Sequence, residues 1–314
     1  MKAVRFERYG APAVMTCREV PQPEYGPEDL LVRVKAAGVN PKDCLVRKGK
    51  FRWFTGHRFP LGLGHDFAGT VETTGRRVDA FHAGDAVYGM TNGWKGRTYA
   101  GFVAVRASEA ALKPQALGFE AAAATPLAAQ TALQALRDLG RTTGGQRVLI
   151  NGASGGVGTF AVQIASLLGA HVTAVCSGRN ADMVRHLGAH DVIDYTREDL
   201  QQLSAPVDVF FDVFGNYRFP DTRTMITSKG RFITTVPGLP ILRWAILSRL
   251  AGGPQAHLVV VKSRAADLRT LSAWIETGRL SPVVDRTFTL ETVQEAHAYI
   301  ETKRARGKVV LRVA

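Results

Sequence analysis

Four glycines fall within the seven residues Gly152, Ala153, Ser154, Gly155, Gly156, Val157 and Gly158, just after the apolar run Val148, Leu149, Ile150. After them Phe160, Ala161, Ile164, Ala165, Leu167 and Leu168 recur at helical spacing, so the stretch reads as strand, tight turn and helix. Such a turn suits the diphosphate of a dinucleotide. Gly155 lets backbone approach the pyrophosphate, Gly158 lets helix and strand pack closely, and the helix start offers N–H donors and positive dipole. The pattern is Ala153-x-Gly155-x-x-Gly158, with alanine where the first glycine usually stands and Gly156 in addition. It lies in a strand-helix-strand unit whose second strand is "HVTAVC", a context an ordinary tight turn does not require.

The end of that second strand decides which dinucleotide is favoured. An Asp or Glu there would bond both ribose hydroxyls and repel a 2′-phosphate. The chain instead reads "AVCSGRN", where Ser177 supplies a hydroxyl and Arg179 a forked cation, which favours NADPH. Tyr195, in "VIDYT", is placed to close the same pocket from the adenine side. The alternative for Arg179 is a solvated surface residue.

These residues need a scaffold, and 314 residues with 46% hydrophobic and 21% charged positions can bury a core and divide into two domains. No apolar run reaches bilayer length and "MKAVRFERYG" carries charges where a secretory core would lie, so a cytoplasmic protein is expected. Cys17, Cys44 and Cys176 are odd in number and far apart, against both a disulfide framework and a structural zinc lobe. The net charge of +13 is spread without a basic run or interleaved aromatics, so no nucleic-acid partner is expected.

From Ala3 to about residue 118, short β-like runs such as "LLVRVKAAGVN" and "FAGTVETTG" alternate with Gly and Pro turns, the pattern of a mostly antiparallel, barrel-like domain. "GFEAAAATPLAAQTALQALRDL" then has helix-forming composition, and near-continuous apolar strands alternate with amphipathic helices up to "HLVVVKS". The last fifty or so residues return to a helix and short strands ending in "GKVVLRV". The expected class is α/β: a mostly β catalytic domain of residues 1–119 with 262–314, and a doubly wound cofactor domain of residues 120–261.

Six segments, "AAGVNPKDCLVRKG", "PLGLGHDFAGTV", "AFHAGDAVYGM", "AATPLAAQTALQAL", "NGASGGVG" and "GKVVL", make the chain resemble the medium-chain dehydrogenase/reductase superfamily, in its zinc-independent quinone oxidoreductase-like branch. The resemblance implies a GroES-like catalytic domain, a Rossmann domain binding NADPH in the cleft between the two, and a homodimer. At the places of the zinc ligands of the metal-dependent relatives stand Asn40, His65 and Leu127, which cannot build a three-ligand site. No metal is therefore expected, and His65 is read as hydrogen-bonded structure.

Hydride transfer without a metal suits a quinone or the β-carbon of an α,β-unsaturated carbonyl, provided that the protein orients the reacting carbons and excludes water. By resemblance Asn40 orients cofactor or substrate, and Thr131 and Gly238 contact the nicotinamide half. The ammonium of Lys42 is suited to stabilising an enolate or hydroquinone anion, with an exposed loop lysine as the equal alternative. Asp43 and Arg47 read as a structural ion pair. "KFRWFTGHRFP" combines aromatics with basic residues, fitting a flat apolar acceptor or else a lid packed on its own domain. Residues 237–253 are apolar around most of a helix: a buried crossover, a dimer-interface helix, or a weak peripheral membrane contact. Two other functions stay open: an alcohol or aldehyde oxidoreductase of the same superfamily, and a low-turnover NADPH-binding protein that contacts RNA or membrane.

Overall fold

Apolar side chains that alternate along a strand must find two different neighbours, and the first unit of the chain is built on that rule. The structure is a computed structural model describing every residue except 201, 202, 204 and 314. It divides into two compact units, Met1–Leu127 with Lys262–Ala314, and Ala128–Val261.

In the first unit β1 (Lys2–Phe6) and β2 (Met15–Glu19) form an antiparallel pair. They are followed by β3 (Asp29–Val39), α1 (Pro41–Arg47), the short α2 (Arg52–Thr55), β4 (Asp66–Thr74), β5 (Ala86–Met90), β6 (Phe102–Arg106) and β7 (Ala110–Leu112). α3 (Phe119–Ala123) and α4 (Pro126–Leu133) then lead into the second unit. The helix-forming stretch is thus broken at Pro126, whose missing N–H and ring end one helix and start the next. α3 lays Ala122 and Ala123 on a cluster with Ala36, Ala68 and Tyr88. That packing moves the division between units to Leu127, later than the expected residue 119.

The second unit holds β8 (Arg147–Asn151), α5 (Gly156–Leu167), β9 (His171–Cys176), α6 (Ala181–His186), β10 (Asp191–Asp194), β11 (Val207–Asp212), α7 (Phe219–Thr222), β12 (Ile226–Thr234), α8 (Leu239–Leu250) and β13 (Gln255–Leu258). Its six strands are parallel in the order β10-β9-β8-β11-β12-β13. This is the doubly wound arrangement, with its reversal between β8 and β11 and its binding crevice outside the carboxyl ends of those strands. Two expectations change here. β13 ends at Leu258, so most of "HLVVVKS" is not strand. α8 buries only Ile241 and Ser248 and leaves Leu239 78%, Ile246 64% and Leu250 81% exposed, so it is not a buried crossover.

The chain returns to the first unit with α9 (Ala265–Glu276), β14 (Val284–Thr289), α10 (Val293–Glu301) and β15 (Lys308–Arg312). β15 pairs with β14 on one side and β3 on the other, inside the sheet β14-β15-β3-β4-β5-β7, with β6 also on β3. Val309 and Leu311 enter the cluster of Phe6, Val32, Phe67 and Tyr99, whereas Val310 enters that of Ala36 and Ala123. No described helix is long and apolar enough to cross a membrane.

Candidate functional site

β8 delivers Asn151 to the carboxyl edge of its sheet, and Gly152, at φ +80°, turns the chain in a conformation that few side chains adopt. The N–H groups of Gly152 and Ala153 both donate to Val175 O, at 3.2 and 3.1 Å, which ties the turn to β9. A Cβ on Gly158 would lie 2.1 Å from Gly152 O, so only glycine lets α5 start this close to the turn. A Cβ on Gly155 would meet Gly152 O alone, at 3.5 Å, and its other side is open. Ala153 is fully buried and contributes through backbone, while Ser154, Gly155, Gly156 and Val157 form a half-buried lip. First-turn N–H groups of a helix have no intrahelical acceptor, so this open lip at the start of α5 fits a diphosphate.

Asn180 follows β9 and was not singled out from sequence. Its Nδ2 donates to Ser154 Oγ at 3.0 Å and to Ser177 Oγ at 3.3 Å, joining the glycine turn to the end of β9. Asn180 is 5% exposed, and its Oδ1 has no hydrogen-bond partner among the described residues. Arg179 is exposed beside it and Tyr195 is 61% exposed. An acidic group does approach this corner, from β10: Asp194 Oδ2 lies 2.4 Å from where a Gly178 Cβ would be. Its Oδ1 accepts from Thr196 N and Oγ1 at 3.0 and 2.7 Å, bonds that hold the carboxyl below its usual range. At the neighbouring carboxyl edge Asn151 Nδ2 donates to Asp212 Oδ1 and Asn216 Oδ1, at 2.8 and 2.6 Å. Thr131, 5% exposed on α4, and Gly238, the extended N-cap of α8, sit on other elements.

In the first unit Asn40 is 2% exposed and caps α1. The amide expected to orient cofactor or substrate is engaged at both ends: Nδ2 donates to Asp66 Oδ2 at 2.9 Å and Oδ1 accepts from Lys308 Nζ. Lys308 Nζ also lies 3.2 Å from Asp66 Oδ2, and Asp66 Oδ1 accepts from Leu127 N at 2.7 Å. Burial pushes the Asp66 carboxyl above its usual range against the pull of Lys308 and Asn40. A Cβ on Gly38 would fall 2.7 Å from Asp66 Oδ2 and 2.6 Å from Ala123 O, so glycine is needed for β3, β4 and α3 to meet there.

Asp43 is not paired with Arg47. It accepts from the Asn40 N–H at 2.9 Å and Tyr99 OH at 2.9 Å and bonds His65 Nδ1 at 2.8 Å, whereas the fully buried Arg47 pairs with Glu301. Burial opposes the Asp43 charge, but the bond to His65 and its other partners hold the carboxyl below its usual range. His65 is accordingly hydrogen-bonded structure, with Nε2 lacking a partner among the described residues. The donor set does not fit a zinc ion: Asn40 is committed, Leu127 brings no donor atom, and no group of three His, Cys, Asp or Glu is arranged for a metal among the described residues.

Lys42 is half-buried on α1, not in a loop. Its ammonium donates to Gly93 O at 2.5 Å and lies 5.1 Å from the centre of the Trp94 ring, and burial lowers its pKa. Phe51 and Phe54 pack on Trp94 with ring centres 4.2 and 5.2 Å away. The aromatic stretch therefore folds onto its own unit, yet Phe54 remains 63% and Trp53 85% exposed.

The description "Alcohol dehydrogenase GroES-like domain" matches residues 26–126, and "Zinc-binding dehydrogenase" matches residues 187–311. The chain is 32% identical to NAD(P)H oxidoreductase RTN4IP1, mitochondrial, of Bos taurus, over 100% of this chain and 89% of that protein. It is 33% identical to NADPH-dependent alkenal/one oxidoreductase, chloroplastic, of Arabidopsis thaliana, over 99% and 79%. Among solved structures, the quinone oxidoreductase from Coxiella burnetii superposes with a TM-score of 0.92 at 31% identity, covering 100% of this chain and 99% of that one.

Proposed function

Because the chain belongs to the medium-chain dehydrogenase/reductase superfamily, in its quinone oxidoreductase-like branch, we propose that it is an NADPH-dependent, zinc-independent reductase of quinones or of the C=C bond of α,β-unsaturated carbonyls. The observation that carries this reading is the turn between β8 and α5, open at Gly155 and closed at Gly158. Ser154, Gly155, Gly156 and Val157 hold the diphosphate there, and Ser177 and Arg179 bind the 2′-phosphate, with Asn180 fixing both serines. When bound, the reduced nicotinamide supplies a hydride. The carbonyl oxygen of the acceptor gathers the resulting charge, and Lys42 is the cation offered to it. The Phe51, Trp94 and Phe54 rings beside Lys42 give a flat acceptor an apolar surface to stack on. Asn40 acts through Asp66 and Lys308 as a positioning residue, and water completes the protonation.

The test is NADPH consumption with a quinone, an enone and an aldehyde, each repeated with NADH. Turnover on the first two with NADPH is expected, and Arg179→Ala should weaken NADPH by about tenfold or more while leaving NADH unchanged. Turnover confined to the aldehyde moves the chain to alcohol and aldehyde chemistry, and cofactor binding without turnover favours a binding protein. We also assign the exposed apolar side of α8 to a second copy of the chain. α8 abuts the unpaired edge strand β13, where Ala256 N donates to Ser248 Oγ at 3.0 Å, and Val260 just beyond is 68% exposed.

A further inference from the structure

Four basic or imidazole side chains of the second unit gather where no step of the proposed reaction needs them. Arg141, Arg231, Arg249 and His257 line a cavity of about 370 Å³ together with Asp138, Leu139 and Gln255. Each comes from a different element. Arg231 stands on β12, His257 on β13, Arg249 in the last turn of α8, and Arg141 just past a π-helical turn over Gln134–Leu139. Arg141 adopts φ +48°, a conformation that costs a side-chain-bearing residue free energy. Arg231 Nη1 donates to Leu139 O at 2.6 Å, fixing that guanidinium against the π-helical turn.

Among the described residues that line this cavity, three guanidinium groups meet a single carboxylate, Asp138, whose two oxygens accept from Arg137 at 2.6 and 3.2 Å. His257 is 9% exposed, and its Nε2 is buried without a partner among the described residues. Burial and the three neighbouring guanidinium groups push its pKa down to about 4, so at neutral pH the ring is an uncharged donor or acceptor on the cavity wall. A polar atom left unpaired in such a place is destabilising unless a ligand or water satisfies it.

The cavity is separate from the dinucleotide cradle. Asn151, Asp212 and Thr234 align at the carboxyl edge, and Arg231 lies three residues back along β12, about 10 Å, and two strands across from β8.

We propose that Arg141, Arg231, Arg249 and His257 form a second anion site, for a multiply charged phosphate group carried by a soluble phosphate compound or by a lipid headgroup. The planar guanidinium forks suit phosphate oxygens, and the imidazole Nε2–H completes the cage.

The experiment uses full-length protein saturated with NADPH, so that the glycine turn is filled, and titrates inorganic pyrophosphate by calorimetry. One further site per chain is expected. Arg249→Glu and, separately, Arg141→Ser should each weaken it by about ten- to a hundredfold without lowering the anion-free melting temperature. The His257 imidazole, followed by NMR, should titrate closer to its ordinary range when pyrophosphate is bound, because the anion offsets the guanidinium charge. Vesicles with and without phosphatidic acid separate the sources: vesicle binding lost in Arg249→Glu assigns a headgroup, and pyrophosphate binding alone assigns a soluble compound. Absence of binding to pyrophosphate and to phosphatidic acid, binding indifferent to both substitutions, or an unmoved His257 would overturn the proposal.

Discussion

Replacing Lys308 with methionine removes one buried charge and keeps most of the side-chain volume. The ammonium is bonded to Asn40 Oδ1 and lies 3.2 Å from Asp66 Oδ2, with Lys308 3% and Asp66 0% exposed. In Lys308→Met, Asp66 keeps the Asn40 Nδ2 and Leu127 N donors but loses its only counter-charge within bonding distance among the described residues, and Asn40 Oδ1 loses its donor. Breaking a buried pair in this way costs about 3–5 kcal/mol. The sign with pH follows from Asp66. Its carboxyl is already raised by burial, and without Lys308 it rises further above its unfolded value. The folded variant then binds a proton that the unfolded chain does not, so its stability falls as pH rises, and the deficit against the parent widens as pH climbs above the ordinary carboxylate range. Urea unfolding followed by tryptophan emission is the assay, since Trp53, Trp94 and Trp274 all lie in the first unit. Adding Asp66→Asn should recover about 2 kcal/mol or more at the higher pH. A deficit below about 1 kcal/mol, or a double variant no more stable than Lys308→Met, would refute the account of this cluster.

Gly158→Ala should destabilise the second unit by several kcal/mol, about 3 or more, because its Cβ would fall 2.1 Å from Gly152 O. Gly155→Ala, with φ −86° and an open side, should change thermal stability little while weakening NADPH about tenfold or more in a fluorescence titration. Burial pushes His297 down to about 4 from its ordinary 6.5. The unfolded chain therefore protonates first as pH falls between those values, and the loss of up to about 3 kcal/mol should shrink in His297→Gln when urea midpoints are compared across that range. Ile246→Glu with Leu250→Glu should dissociate the proposed homodimer in sedimentation at a monomer stability cost within about 0.5 kcal/mol, since both side chains are exposed.

What was legible in the sequence is what local chemistry determines. Gly155 and Gly158 announce their turn because strand, turn and helix are consecutive, and the parallel order of the second unit follows from the alternation of apolar strands and helices. The partners of Asn40 were not legible. Lys308 stands 268 residues away, and nothing in "GKVVL" says that its lysine points inward beside Asp66. Asp43 illustrates the same limit: its spacing to Arg47 suggests a pair along α1, yet His65 and Tyr99, from other segments, take its oxygens. Nothing in the sequence marks Asn180, because its link to Ser154 depends on how the turn after β8 folds against the end of β9. The composition of α8 left a core, a partner chain and a membrane surface open, because apolarity all round a helix does not tell them apart.

β15 lies between β14 and β3, yet it follows the entire second unit in chain order. On the ribosome the second unit is therefore complete before the first can close. Until Lys308 to Arg312 emerge, β3 presents bare amide and carbonyl groups where β15 belongs, and Asp66 waits without its cation. The half that is translated earliest is thus the one that matures last, and nascent chains carry an adhesive edge for most of their synthesis.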